Sequence, residues 1–207
     1  MSRFALPNVS RVMEPASEAS LVSRLQAGDA AAFDELHAEL NARLFSFLLR
    51  LSRRRDVAED LLEETWLRLV THAKRLRPDT RLAPWLFTVA RNLYVSHQRS
   101  RRMEDTHAAS LIGLWPSGSP RHSPFEEAAG NETERRIESA LAALPATYRE
   151  ALLLVSVEGF RPAEAAEVCG ISPEAMRQRL SRARALLTRH LEAPADARAT
   201  TLREVTT

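Results

Sequence analysis

Two stretches of helical periodicity, separated by a stretch that has none, constrain this chain more than any other feature of its 207 residues. From about residue 20 to 102, and again from 131 to 192, apolar side chains recur three and four apart, the spacing that collects them on one side of a helix. Between about 103 and 130 the run "GLWPSGSPRHSP" is rich in Gly, Ser and Pro and sustains no period. Strand-like alternation is absent. The expectation is an all-α chain: two small helical domains joined by a flexible linker, each too small for most large catalytic scaffolds.

Within the first block, Leu36, Leu40, Leu44, Phe47, Leu48 and Leu51 form one stripe, and Gly28-Asp29 interrupts the helix before it, with Asp29 placed to cap the next helix. A third helix fits "DVAEDLLEETWLRLVTHAKRL", with Asp56 as N-cap and Val57, Leu61, Thr65 or Trp66, and Leu69 facing inward. The loop "RPDTRLAP" leads to a fourth helix, from Trp85 to a cluster of Arg99, Arg101 and Arg102. In the second block, helices stop at Pro145, Gly159 and Gly170, and a last one runs through "ISPEAMRQRLSRARAL". Residues 1–19 read as a flexible N-terminus, with Met13 a second candidate start, and 193–207 as a tail without fixed structure.

The net charge is only +2, from 29 Lys+Arg against 27 Asp+Glu, so a polyanion-binding surface has to come from local clustering. One cysteine, Cys169, excludes an internal disulfide or a clustered-cysteine metal site and reads as a small core residue. No signal-peptide core and no run of about 18 apolar residues is present, so a soluble cytoplasmic protein is expected. Scattered histidines, with no HExxH, nucleophile elbow or glycine-rich phosphate loop, argue against an enzyme, a metal or a cofactor.

The last helix is the informative one. With Ser172 as N-cap and Pro173 in the first turn, Met176, Leu180, Ala183, Leu187 and Leu191 fall on one side. Gln178 and Arg182 then point away from that seat, beside Glu174 and Ser181, with Arg177, Arg179 and Arg184 flanking. A short helix over 162–168 and a turn at Gly170-Ile171 precede it, the helix-turn-helix arrangement, in which the second helix meets base edges while arginines fix phosphates.

The run "LPATYREALLLVSVEGFRPAEAAEVCGISPEAMRQRLSRARALL" resembles the promoter-reading C-terminal domain of bacterial sigma factors of the sigma-70 family, extracytoplasmic-function group. Independently, "AEDLLEETWLRLV" resembles that family's segment for gripping core RNA polymerase, and "APWLFTVARNLYVSHQRSRR" its segment for melting the minus-10 element. The resemblance covers about residues 20–102 and 135–191, within a region 2 domain of 20–102 and a region 4 domain of 131–192. It implies minus-35 contacts, on double-stranded DNA, from Arg177, Gln178, Ser181 and Arg182. It implies minus-10 contacts, on single-stranded DNA, from Arg77, Asp79, Thr80, Arg91, Asn92, Arg99, Arg101 and Arg102. Asp60, Glu63, Glu64, Trp66 and Arg68 would face the clamp coiled coil of the largest polymerase subunit, with the flap region a second contact. The linker would thread towards the active-centre cleft, and an anti-sigma factor would hold the free protein inactive.

The loop departs from the family, with Pro78 where Gly is usual and Leu82 where an aromatic is usual, and Glu63 stands where Gln is common. Trp85 and Phe87 read as core rather than as platforms for bases. Two other functions compete. A duplex-binding dimeric regulator would explain 140–191 but leaves "DLLEETW" and "PWLFTVARN" without a purpose, and a protein-only adaptor leaves the arginine face unexplained.

Overall fold

The computed structural model describes residues 15–111 and 132–192, whose regular elements are all helical. The first block holds α1 (Pro15–Gln26), α2 (Ala30–Ser52), α3 (Arg55–His72), a short 3-10 turn (Ala73–Arg75) and α4 (Leu82–Leu111). The second holds α5 (Glu132–Ala143), α6 (Ala146–Leu152) continued by a π-helical turn (Leu153–Val157), α7 (Pro162–Cys169) and α8 (Pro173–Glu192). Most of the 1–19 segment, the tail from 193 and linker residues 112–131 lie outside the described residues.

Four boundaries differ from expectation, each for a local reason. Helix α1 starts inside the segment read as flexible, at Pro15, whose missing N–H costs nothing in a first turn. In α3 the N-cap is Arg54, not Asp56; Asp56 sits in the first turn, ion-paired to Arg54, its carboxyl held below the usual range by that bond. Helix α4 begins three residues before Trp85, and its first N–H, from Leu82, donates to Glu18 Oε1 of α1 at 2.6 Å, a cap supplied from 64 residues away. It also runs to Leu111, past the 103 boundary read for the linker, because no Gly or Pro interrupts 104–111 and Gly113 is the first breaker.

The expected stripe of α2 is the core of the first domain. Leu36, Leu40, Leu44, Phe47, Leu48 and Leu51 are fully buried, against Leu69 of α3 and Leu82, Leu86 and Phe87 of α4. Asp29 caps α2 by accepting the Ala31 N–H at 2.9 Å. Thr65 and Trp66 are both buried; Thr65 Oγ1 donates to Leu61 O, and Trp66 Nε1 to Asn41 Oδ1 at 2.9 Å.

In the second domain, Gly170 adopts φ +64°, the left-handed conformation that ends α7 and turns the chain into α8. Ser172 Oγ accepts the Ala175 N–H at 3.1 Å, as expected of the cap. Met176, Leu180 and Ala183 are buried, while Leu187 and Leu191 are half-buried. Cys169 is buried with them, and desolvation, with Glu150 second, pushes its thiol up to about 12. It is expected to resist alkylation by iodoacetamide at neutral pH until the domain unfolds, because the thiolate is the reacting form; mass spectrometry of the native and urea-unfolded chain checks this.

The two domains pack against each other. Phe160 meets Phe87 edge-on at 5.1 Å, and Phe87 meets Phe47 at 5.2 Å, so one row of rings runs from one domain into the other. The π-helical turn positions this contact: the Glu158 N–H donates to Leu153 O and the Phe160 N–H to Leu154 O, which brings both residues to α2 and α4. Around the rings lie Arg43–Glu158 at 3.1 Å, Arg50–Glu138 at 2.9 Å, Arg81–Glu164 at 2.6 Å and Arg91–Glu150 at 2.8 Å. Arg149, 6% exposed, adds hydrogen bonds from the second domain to the carbonyls of Arg50 and Leu51.

Candidate nucleic-acid and protein-binding faces

The outward face of α8 carries Arg177, Gln178, Ser181 and Arg182, all exposed. Glu174, one turn earlier, accepts from Arg177 Nε at 3.1 Å and Gln178 Nε2 at 3.4 Å, and the Arg177 bond holds its carboxyl below the usual range. Arg177, Leu180, Ser181 and Arg184 line, with Pro162 at the start of α7, an open hollow of about 320 Å³. Positive charge therefore faces solvent beside the α7 N-terminus, an arrangement suited to a phosphate chain. Arg179 departs from the ring expected of it: it is half-buried and turned back towards Glu150 Oε2, at 3.6 Å.

The loop before α4 is a tight turn. The Thr80 N–H donates to Arg77 O at 2.9 Å, and Arg77 pairs with Asp79 at 3.1 Å in full solvent. Leu82 and Phe87 are fully buried and Trp85 half-buried, so Leu82 and Phe87 are core and offer no surface to a base. Along α4, Asn92, Arg99, Arg101 and Arg102 are exposed. Arg91 is not: its Nε donates to Glu150 Oε1 at 2.8 Å, and its other arm reaches Asn92 Oδ1 at 3.3 Å.

On α3, Asp60, Glu63 and Arg68 are exposed, and Glu64 is half-buried, accepting from Arg68 Nε at 2.7 Å. Trp66 does not join them. It is 7% exposed and packs edge-on against Phe33 at 5.6 Å and against His37 at 4.8 Å, so it supports the face from behind. In its place the structure exposes Leu67 at 54% and Val70 at 58%. These two continue the stripe of Asp60, Glu63 and Glu64 at helical spacing, giving a mixed acidic and apolar face. The signal was present as apolar residues on both sides of α3, where a helix packed on one side needs only one apolar stripe.

Glu158 is buried, and desolvation raises its pKa against the opposing charge and hydrogen bond of Arg43. A carboxyl that binds its proton more readily when folded contributes stability below the ordinary Glu value of 4.5, and that contribution is lost as pH rises through the raised value. Urea unfolding of Glu158→Gln is therefore expected to show a flatter pH dependence than the parent in the range just above 4.5.

No helix among the described residues is long and apolar enough to cross a membrane. Comparison with known proteins identifies both halves. Residues 20–104 match the family described as Sigma-70 region 2, and residues 134–187 match Sigma-70, region 4. The chain is 37% identical over 149 residues to ECF RNA polymerase sigma factor EcfG of Rhodopseudomonas palustris, covering 70% of this chain and 77% of that protein. It is 34% identical over 161 residues to RNA polymerase sigma factor CarQ of Myxococcus xanthus, covering 78% and 90%. Among solved structures it is similar to the sigma factor RpoE of Bartonella quintana, in complex there with the anti-sigma factor NepR, with a TM-score of 0.65 and 28% identity over 78% of this chain and 97% of that one. With a region 2 and a region 4 in order, each folded as the match requires, the chain belongs to the sigma-70 family of RNA polymerase sigma factors, in its extracytoplasmic-function group.

Proposed function

We propose that this sigma factor binds core RNA polymerase through the α3 face and selects promoters with two separate surfaces, acting in the cytoplasm by binding rather than by catalysis. Asp60, Glu63, Glu64, Leu67, Val70 and Arg68 meet the clamp coiled coil, and region 4 meets the flap region. Arg177, Gln178, Ser181 and Arg182 read the minus-35 duplex; Arg and Gln side chains there match guanine and adenine edges. Arg77, Asp79, Thr80, Asn92 and the arginines of α4 hold the minus-10 strand once it leaves the duplex, where backbone charge and base capture offset the cost of unstacking. An anti-sigma factor, of the kind bound to the Bartonella relative, controls the free protein by covering these faces.

The observation that carries this reading is that one chain exposes both an acidic and apolar stripe on α3 and an arginine and glutamine face on α8. Purified protein added to core polymerase, with start sites mapped genome-wide in vitro, tests it. New starts sharing one two-part motif are expected, lost in an Asp60→Ala/Glu64→Ala variant together with polymerase binding. Tight duplex binding without polymerase and no new starts would instead support the dimeric regulator.

A further inference from the structure

The loop before α4, residues 77–81, is fastened at both ends by the same helix. At its start, Gln26 Nε2 of α1 donates to Leu76 O at 2.6 Å; at its end, Glu18 Oε1 of α1 accepts the Leu82 N–H at 2.6 Å. Leu76 and Leu82, the two residues so held, are buried, and between them Arg77, Pro78, Asp79 and Arg81 are exposed. Inside the loop the Thr80 N–H closes on Arg77 O and Arg77 pairs with Asp79, bonds that shape the turn without fixing it to its own domain. The Arg81 side chain reaches Glu164, on the other domain.

Helix α1 is a firm mount for these two bonds. Leu21, Val22 and Leu25 seat it in the core of the first domain, and Arg24 ties it to α2 through Asp29 at 2.7 Å and Glu35 at 2.9 Å. With a rise of about 1.5 Å per residue, Glu18 and Gln26 stand about 12 Å apart along the helix axis, so α1 fixes the spacing at which the two loop ends are held. Each position carries the chemistry its target needs. A carbonyl takes a donor, which Gln has and an ionised Glu lacks, and the N-terminus of α4 takes an acceptor, best a carboxylate. A carboxylate beside a surface that holds a nucleic-acid strand works against binding by simple charge. The backbone N–H it holds accounts for its place.

We propose that Glu18 and Gln26 are positioning residues for promoter selection: without themselves meeting a base, they hold the ends of 77–81 and so set how sharply the minus-10 bases are told apart. The inference rests on the reading of this loop as part of the minus-10 surface. Leu82 is fully buried and offers nothing for a base to stack on, so discrimination by the loop depends on where its backbone and exposed side chains stand.

The test uses holoenzyme assembled from core RNA polymerase and the full chain. Initiation is measured on a library of one promoter, taken from the in vitro start-site map, in which each minus-10 and minus-35 base is varied singly. Glu18→Ala removes the acceptor, and Gln26→Met removes the donor at nearly constant size. Glu18→Gln keeps an acceptor oxygen and removes the charge. Asp79→Ala, inside the loop, reports whether the loop reads bases at all. Discrimination between the best and worst minus-10 base is expected to fall on the order of fivefold in Glu18→Ala and in Gln26→Met, and by less than about twofold in Glu18→Gln, with minus-35 discrimination within about twofold of the parent in all three. Unchanged minus-10 discrimination in Glu18→Ala and Gln26→Met overturns the proposal, and so does an equal loss at both elements, which marks general loosening of the fold. A loss in Glu18→Gln as large as in Glu18→Ala would make charge the cause, and not the bond, and overturns it too. A parent holoenzyme that starts nowhere new defeats the promoter reading itself, and an Asp79→Ala variant with the parent's minus-10 preference defeats the reading of the loop; the proposal falls with either. A changed preference for Asp79→Ala alone defeats only the positioning role.

Discussion

Arg149→Ala is expected to lower the stability of the folded chain by roughly 3–5 kcal/mol, as measured by urea unfolding followed by circular dichroism. The guanidinium is buried, with no carboxylate partner among the described residues. It donates instead to five backbone carbonyls: Nε to Leu141 O at 3.1 Å, one terminal nitrogen to Arg50 O and Leu51 O at 3.2 Å each, and the other to Ala142 O at 3.0 Å and Leu144 O at 2.8 Å. Those carbonyls lie at or just beyond the C-terminal ends of α5 and α2, where helices leave acceptors unpaired and carry partial negative charge. Burial, with Arg53 nearby as a second positive charge, lowers the pKa of Arg149, yet a guanidinium keeps its proton in proteins. Truncation would strand acceptors in both domains at once. Arg149→Lys is expected to recover only part of the loss, since an ammonium lacks the planar fork that reaches carbonyls on two helices. A loss for Arg149→Ala of less than about 1 kcal/mol would mean that water replaces the guanidinium at both helix ends.

None of that is legible at Arg149 itself. In "ATYREALLL" nothing local distinguishes Arg149 or Glu150 from charges on a solvated helix face. The segment 149–154 is buried throughout, because the end of α6 and the start of the π-helical turn lie between their own domain and the other one and so show no solvent face to reveal by periodicity. Among the described residues, the ion pairs Arg43–Glu158, Arg50–Glu138, Arg81–Glu164 and Arg91–Glu150 join residues 59 to 115 apart in the chain, and no local pattern marks such partners. By contrast, much of what depends on neighbouring residues is readable: the α2 stripe, the Asp29 and Ser172 caps, the turn at Gly170 and the exposure of Arg177, Gln178, Ser181 and Arg182 on α8, although the Asp56 cap, also local, falls two residues late. The α4 boundary escapes the sequence at both ends for two reasons. Its cap comes from α1, and its extension past residue 103 rests on intrinsic propensity in a segment dominated by the Gly and Pro beyond it. Resemblance alone puts Trp66 on the polymerase face, while the helical wheel already allows it inside; the wheel agrees with the burial.

Arg182→Ala is expected to reduce initiation at this factor's promoters by about 5-fold to 150-fold, the range of one base-edge contact worth about 1–3 kcal/mol. Arg182 separates reading from folding better than its neighbours do. Arg177 and Gln178 are both held by Glu174, so truncating either also frees a carboxylate beside the DNA. Arg182 is exposed, and no hydrogen bond or ion pair of the described residues involves it, so its loss should leave unfolding within about 0.5 kcal/mol of the parent. Polymerase binding through the α3 face should be unchanged too, because that face lies in the other domain. The discriminating result is which promoters suffer. If Arg182 reads a base, activity falls most where that base is present, and the mapped minus-35 motif loses information at one position. If it only meets phosphate, all promoters weaken alike and the salt dependence of binding falls by about one counterion. Equal activity of parent and variant at every promoter would remove Arg182 from the interface and leave the reading of the minus-35 element to the first two turns of α8.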